Sequence, residues 1–226
     1  MKKLGKKSIL VLLSGGMDST ALLEDCLSLY QCVRPVYIVS GFRWEKAELF
    51  WLRRIWWHLK SKPQGQRLKS LIVQRLDMKD FVGANHWALQ GKAPGRKTSD
   101  SAVYLPGRNL LLLSKAAVLA SIYKIRNIAL GTLAGNPFAD ASQTFFNAMT
   151  RAVSLALNSP IKIHAPYAQF SKADILLRHR NLPIHLTFSC IQPQGRRHCG
   201  YCNKCAERQR AFRKAGIADP TRYSSR

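Results

Sequence analysis

The stretch Ser14-Gly15-Gly16-Met17-Asp18-Ser19-Thr20, set between an apolar run at residues 8–13 and a helix-forming run at residues 21–30, decides how this chain folds. A strand that breaks into a glycine turn and re-enters as a helix aims several backbone N–H groups at one point. The helix dipole favours negative charge at the same place. The result is an anion cradle. Gly15 and Gly16 can take backbone angles closed to other residues and let an oxyanion approach the main chain, while Ser14, Ser19 and Thr20 add hydroxyl donors. No Gly-Lys-Ser/Thr follows, so this is not the Walker loop. The plainer alternative is a tight turn in which Asp18 or Ser19 only caps the helix.

Working outward, short apolar runs alternate with helical patterns. The pattern predicts strands at residues 8–13, 33–39, 68–76, 127–130 and 161–164. Helices are predicted at residues 21–29, 45–59, 106–123, 144–157 and 171–180. This β-α-β-α order implies an α/β fold with a doubly wound, mainly parallel sheet, whose ligands sit beyond the carboxyl ends of the strands. Trp44, Trp51, Trp56 and Trp57 crowd the second helix and read as packing against the sheet or a partner subunit. Residues 77–104 have little periodicity and read as a lid or binding loop.

Lys+Arg 36 against Asp+Glu 12 gives a formal charge of +24, which attracts polyanions such as ATP, pyrophosphate or RNA. The basic residues are spread along the chain with no long run, so nucleic acid is a partner the charge allows and does not require. The basic residues 1–7 and the apolar residues 9–13 are too short together for an export signal, and no apolar stretch is long enough for a bilayer. Six cysteines without such a signal favour metal or free thiols and a cytoplasmic protein.

Cys190, Cys199, Cys202 and Cys205 follow the spacing C-x8-C-x2-C-x2-C, which lets thiolates converge on one ion from a tight turn. A closed tetrahedral zinc site with a structural role is the expectation; an iron–sulfur cluster and a redox disulfide are the alternatives. Arg208 and Arg210 are placed to offset thiolate charge, and His198 is left out because the shell is already complete. Cys26 and Cys32 read as core or chance thiols. The expected organisation is a catalytic domain over residues 1–185 and a zinc-binding segment, packed on it, over residues 186–226.

The opening stretch resembles the SGGxDS loop of the ATP pyrophosphatases, the PP-loop superfamily. Phe188-Ser189-Cys190, then Cys199-Gly200-Tyr201-Cys202-Asn203-Lys204-Cys205 and Asp219-Pro220-Thr221-Arg222-Tyr223, resemble the 7-cyano-7-deazaguanine synthase family, QueC. Tyr104-Leu105-Pro106-Gly107-Arg108-Asn109, His164-Ala165-Pro166 and Ser171-Lys172-Ala173-Asp174 extend the resemblance over almost the whole chain.

The resemblance implies an adenine nucleotide alpha hydrolase-like fold and a ligase of the queuosine pathway. Its substrates would be 7-carboxy-7-deazaguanine, ammonia and ATP with magnesium, and its assembly a homodimer. It implies an ATP site built from Leu13, Ser14, Gly15, Gly16, Asp18, Ser19, Thr20 and Arg108, with Asp18 and Ser19 as the catalytic pair. Lys172 is a further candidate for phosphate or carboxylate contact. Two segments depart from the family pattern where the base should be read, Ser40-Gly41-Phe42-Arg43-Trp44-Glu45 and residues 131–142. In the second, Phe138 is a candidate to stack on a base and Asp140 to accept hydrogen bonds from a guanine-like edge; loop packing and capping are the plainer alternative for each. The altered segments and the charge keep a second acceptor in view, tRNA or a protein. A zinc-containing RNA-binding module without catalysis is the third reading.

Overall fold

A computed structural model describes residues 6–224; residues 1–5 of the basic N-terminal run lie outside them. The first strand, β1 (Lys6–Leu12), ends at the glycine stretch, and α1 (Met17–Leu29) starts from it. Side chains alternate across a strand, so Ile9 and Val11 enter one apolar cluster while Leu10 and Leu12 enter another. Burial on both faces is why this run carries no polar alternation.

The chain continues directly into β2 (Tyr30–Val39), then α2 (Glu45–Lys60), β3 (Ile72–Arg75), α3 (Lys79–Val82), α4 (Arg108–Ile122), β4 (Asn127–Ala129), α5 (Gln143–Ala156), β5 (Lys162–His164), α6 (Lys172–Arg178) and α7 (Asn203–Ala215). The strands form one sheet in the order β3-β2-β1-β4-β5, and every pair is parallel. Helices α1, α2, α6 and α7 cover one face through residues such as Leu23, Ile55, Leu176 and Phe212. The other face is covered by α4 and α5 through Leu113, Ala117 and Phe146. The strand sequence runs outward from β1 to β3 and then crosses to β4 on the other side of β1. The switch point therefore lies between the carboxyl ends of β1 and β4, where Ser14 begins the glycine turn.

The third strand is shorter than its apolar pattern suggests. Leu68 makes only an isolated bridge to Val33 after a 3-10 turn over Pro63–Arg67, and regular pairing begins at Ile72. Residues 77–104 are irregular but tied down. Met78, Ala88, Ala93 and Val103 are buried in a third cluster with Phe42, Trp44, Phe188 and the four C-terminal cysteines. The tryptophans divide. Trp44 stacks on Phe42 with ring centres 4.7 Å apart, and Trp51 and Trp56 donate their indole N–H to the carbonyls of Arg196 and Lys69. Trp57 stays 68% exposed. No helix among the described residues is long and apolar enough to cross a membrane.

Candidate active site and metal centre

The glycine turn is held from three sides. Gly15 has φ +71°, and a Cβ there would sit 3.3 Å from Leu52 Cβ on α2. Gly15 O accepts the backbone N–H of Phe188 at 2.8 Å, which pins the turn to the C-terminal segment. From β4, Gly131 comes so close that a Cβ would lie 3.3 Å from the backbone of Asp18 and Ser19. A side chain there would push the turn back by a few tenths of an ångström. The hydroxyls expected as donors to an anion are engaged within the turn itself: Ser19 Oγ and Thr20 Oγ1 donate to Gly16 O at 3.1 and 2.8 Å, and Ser19 Oγ accepts from Ser14 N at 3.3 Å. They fix the shape of the cradle. Its donors are the amides of the first turn of α1, which have no carbonyl partner within the helix.

Lys172, at the start of α6, is brought to the turn. Its Nζ lies 3.3 Å from Asp18 Oδ2 and 2.6 Å from Glu207 Oε1, and Glu207 Oε2 accepts Lys204 Nζ at 2.7 Å. Four charges thus run in sequence from the turn to α7. Burial pushes the Asp18 carboxyl above its usual range, and Lys172 only partly offsets this. For Lys172 burial opposes the charge, but the two carboxylates more than compensate and hold the ammonium above its ordinary value. Glu207 is held down at about 2, since its two lysines outweigh its burial. The second oxygen of Asp18 is buried with no hydrogen-bond partner, so the carboxylate has unused acceptor capacity at the cradle.

A second buried group lies behind Gly15. Glu48, whose carbonyl lines the space beside Gly15, accepts Tyr37 Oη at 2.5 Å, and Glu45 accepts the amides of Ser40 and Gly41 at 2.6 and 2.9 Å. Burial raises Glu48 to about 8 and also raises Glu45. The Arg108 guanidinium faces this pair, packs 5.7 Å over the Phe42 ring, and leaves its Nε buried without a partner. Arg108 is therefore beside the turn, on its acidic flank. Glu48 and Glu207 are not among the residues expected from the sequence, and Glu45 and Gly131 enter there only as members of the two departing segments. A glutamate pair three residues apart at the start of α2 was the available signal for Glu45 and Glu48.

Phe138 and Asp140 are held by α4 and its surroundings. Asp140 Oδ2 accepts the Asn109 backbone amide at 2.8 Å and so caps α4, while Phe138 packs against Tyr104 with ring centres 5.1 Å apart. One carboxylate oxygen of Asp140 is thereby occupied.

In the C-terminal segment the Sγ atoms of Cys190, Cys199, Cys202 and Cys205 all lie within 4.8 Å of one another, and all four residues are buried. The pairs Cys190–Cys202 and Cys199–Cys205 are each 3.9 Å apart. Tetrahedral zinc with bonds of ~2.3 Å needs thiolate spacings of ~3.8 Å, so the donor set fits one such ion. Backbone amides of Gln192, Cys199 and Cys202 point at the sulfurs at 3.3 Å, which disperses thiolate charge. His198 is not among the ligands: Nε2 accepts Ser189 N at 3.2 Å, and burial drops its basicity to about 3. The arginines expected to offset thiolate charge are placed differently. Arg208 is 1% exposed and donates to Thr221, Thr187 and the Ile184 carbonyl, while Arg210 faces Asp100 at 3.9 Å. Arg208 is instead the internal tie of the segment.

The family described as queuosine biosynthesis protein QueC matches residues 8–216. The chain is 32% identical to the 7-cyano-7-deazaguanine synthase of Caldicellulosiruptor bescii over 94% of this chain and 96% of that one. It is 31% identical to 7-cyano-7-deazaguanine synthase 1 of Desulfitobacterium hafniense over 92% and 93%. Among solved structures it is similar in fold to a 4-thiouridine synthetase in complex with RNA and bound ATP, with TM-score 0.51, 16% identity, and coverage of 94% of this chain and 51% of that one. It is similar also to the U34-tRNA thiolase NcsA of Methanococcus maripaludis with its 4Fe–4S cluster, with TM-score 0.50, 12% identity, and coverage of 94% and 73%. Matched along nearly its whole length, from β1 through the cysteine knot and α7, the chain belongs to the QueC family of queuosine biosynthesis proteins.

Proposed function

We propose that this chain is an ATP-dependent ligase that converts 7-carboxy-7-deazaguanine and ammonia to 7-cyano-7-deazaguanine through an adenylated intermediate. The observation that carries the reading is the glycine turn at the β1–β4 switch point, with the Asp18–Lys172 pair beside it. A carboxylate is a poor electrophile because its leaving group is oxide. Attack of a carboxylate oxygen on the α-phosphorus of ATP releases pyrophosphate and leaves an acyl adenylate. Ammonia adds at the acyl carbon and AMP departs, giving the amide. A second ATP adenylates the amide oxygen, and loss of AMP and protons leaves the nitrile.

In this scheme the first-turn amides of α1 hold the departing pyrophosphate, while Gly15 and Gly131 let α2 and the segment after β4 close on the turn from behind. Lys172 supplies positive charge at the same edge. Magnesium would neutralise phosphate charge, with the unpartnered oxygen of Asp18 as the candidate ligand from this chain. Ser19 shapes the cradle through Gly16 O, and Arg108 approaches from the acidic flank. Zinc on Cys190, Cys199, Cys202 and Cys205 would hold the segment that pins Gly15 through Phe188, a structural role with no open coordination position. Residues 1–185 would form the catalytic domain and 186–226 the zinc segment. The enzyme is proposed to be cytoplasmic and a homodimer.

One observation favours a second reading. Asp140 caps α4, so one of its oxygens is not available to read a guanine-like edge, and the segments at residues 40–45 and 131–142 depart from the family pattern. The adenylating chemistry would then serve another acceptor, tRNA or a protein. Incubation with ATP, magnesium, ammonium and 7-carboxy-7-deazaguanine separates the two. Amide and then nitrile are expected alongside AMP. No product from the deazaguanine, with AMP release dependent on added tRNA, would select the second acceptor.

A further inference from the structure

The zinc knot and one face of α2 together carry a surface that the ligase reaction does not use. Two adjoining open concavities of about 710 and 730 Å³ share Arg197, Thr221 and Arg222, and no residue of the glycine turn lines either. Arg96 enters the first, and Arg54 and Arg196 the second. All five arginines are exposed, and among the described residues none of them is paired with a carboxylate. Asp219, the acidic residue close by, is engaged by Tyr223 Oη at 2.5 Å and Thr221 N at 2.9 Å. So many unpaired guanidinium groups around one depression repel one another in the isolated protein. A polyanion relieves that repulsion.

Flat side chains are interleaved with the charges. Arg196 lies 3.9 Å over the Phe50 ring, with Arg54 at 5.1 Å from the same ring. Positions 50, 54 and 57 fall on one face of α2, and Trp57 continues the patch as an indole that is 68% exposed. Tyr201 lines the first concavity at 40% exposure. Guanidinium groups for phosphates and exposed planar groups for bases are the combination that single-stranded nucleic acid recognition needs. Duplex grooves call for an inserted helix or ribbon, which this concave surface does not present.

We propose that this surface binds single-stranded nucleic acid, through its phosphodiester backbone on Arg54, Arg96, Arg196, Arg197 and Arg222 and through base stacking on Trp57 and Tyr201. Binding is independent of the small-molecule chemistry at the glycine turn and is tested without it.

The experiment is fluorescence anisotropy with a labelled uridine 20-mer and a labelled deoxythymidine 20-mer, titrated between 50 and 200 mM salt. Affinity should fall as salt rises. The triple variant Arg54→Gln/Arg196→Gln/Arg222→Gln should lower the log–log slope by about 2, at roughly 0.7 for each lost phosphate contact. A second triple variant, Arg126→Gln/Arg151→Gln/Lys162→Gln, removes the same charge from the α5 and β5 side of the sheet and should leave the slope within about 1 of the parent. Trp57→Ala, at an exposed position that does not bear on folding, should weaken binding about fivefold or more. Tighter binding of the uridine strand identifies RNA as the partner, and tighter binding of the deoxythymidine strand identifies DNA. Equal losses in the two triple variants, or no effect of Trp57→Ala, would overturn the assignment, as would failure of both oligonucleotides to bind at 50 mM salt.

Discussion

Lys172 Nζ lies 3.3 Å from Asp18 Oδ2, so the aspartate of the glycine turn is one half of an ion pair whose cation is also held by Glu207. The pair couples the start of α1 to α7, the helix that carries Cys205. Charge at the cradle is therefore set jointly by the loop and by the C-terminal segment.

Asp18→Asn separates charge from shape. Lys172 keeps Glu207 at 2.6 Å, so the fold should lose no more than about 1 kcal/mol, while pyrophosphate release should fall about 100-fold. Lys172→Met is expected to be worse for stability, by about 3 kcal/mol, because it leaves Asp18 in a buried position with no counter-charge. Urea unfolding alongside pyrophosphate release distinguishes the two variants. Asp18→Asn with full activity and lowered stability would reduce Asp18 to a cap.

Replacing any one of Cys190, Cys199, Cys202 or Cys205 by serine should release the metal and lower stability and ATP turnover together, turnover by about tenfold or more. The link is mechanical: Phe188, two residues before Cys190, donates to Gly15 O at 2.8 Å. Metal content, thermal midpoint and turnover on each variant check it. A variant that keeps its metal and its stability yet loses turnover would contradict a structural role.

Gly131→Ala places a methyl group 3.3 Å from the backbone at Asp18 and Ser19, and the turn must give by a few tenths of an ångström. The KM for ATP should rise about tenfold with the thermal midpoint nearly unchanged. Gly95→Ala, where the added carbon meets nothing within 4 Å, is the control and should leave KM unchanged.

His179 sits between Glu24 and Asp25, at 3.5 and 3.6 Å, and the attraction of Asp25 and Glu24 raises its pKa to about 9 against 6.5 for the unperturbed group. The folded state holds the proton more tightly than the unfolded one. Its contribution is therefore complete below pH 6.5 and is lost as pH rises through 9. Thermal midpoints measured between pH 6 and pH 10 should fall more in the parent than in His179→Gln. Parallel curves would exclude the pair as a source of stability.

Much of this was legible in the sequence because it rests on local signals. The apolar run before Ser14, the paired glycines and the cysteine spacing each determine a strand, a turn and a ligand cluster without help from distant residues. What was not legible depends on residues far apart in the chain. Glu207 reaches Lys172 from 35 positions away only because α7 packs beside α6, and Gly131 backs Asp18 only because β4 lies next to β1. The start of the third strand lies later than its pattern predicts for a related reason: the apolar pattern runs from Leu68 onward, but the 3-10 turn before it delays pairing until Ile72. Asp140 takes the plainer of the two roles its sequence context allowed, a loop carboxylate that caps a helix through the amide of Asn109.

Adenylation of the carboxylate substrate at the cradle formed by Ser14 to Thr20 is tested most directly by following the carboxylate oxygens. The direct measurement uses 7-carboxy-7-deazaguanine labelled with oxygen-18 in its carboxylate, with ATP, magnesium and ammonium, and follows the label by mass spectrometry or phosphorus NMR. The expected result is AMP and pyrophosphate as the nucleotide products, with oxygen-18 in the phosphate of AMP. ADP and inorganic phosphate as products, or AMP carrying no label, would contradict the claim.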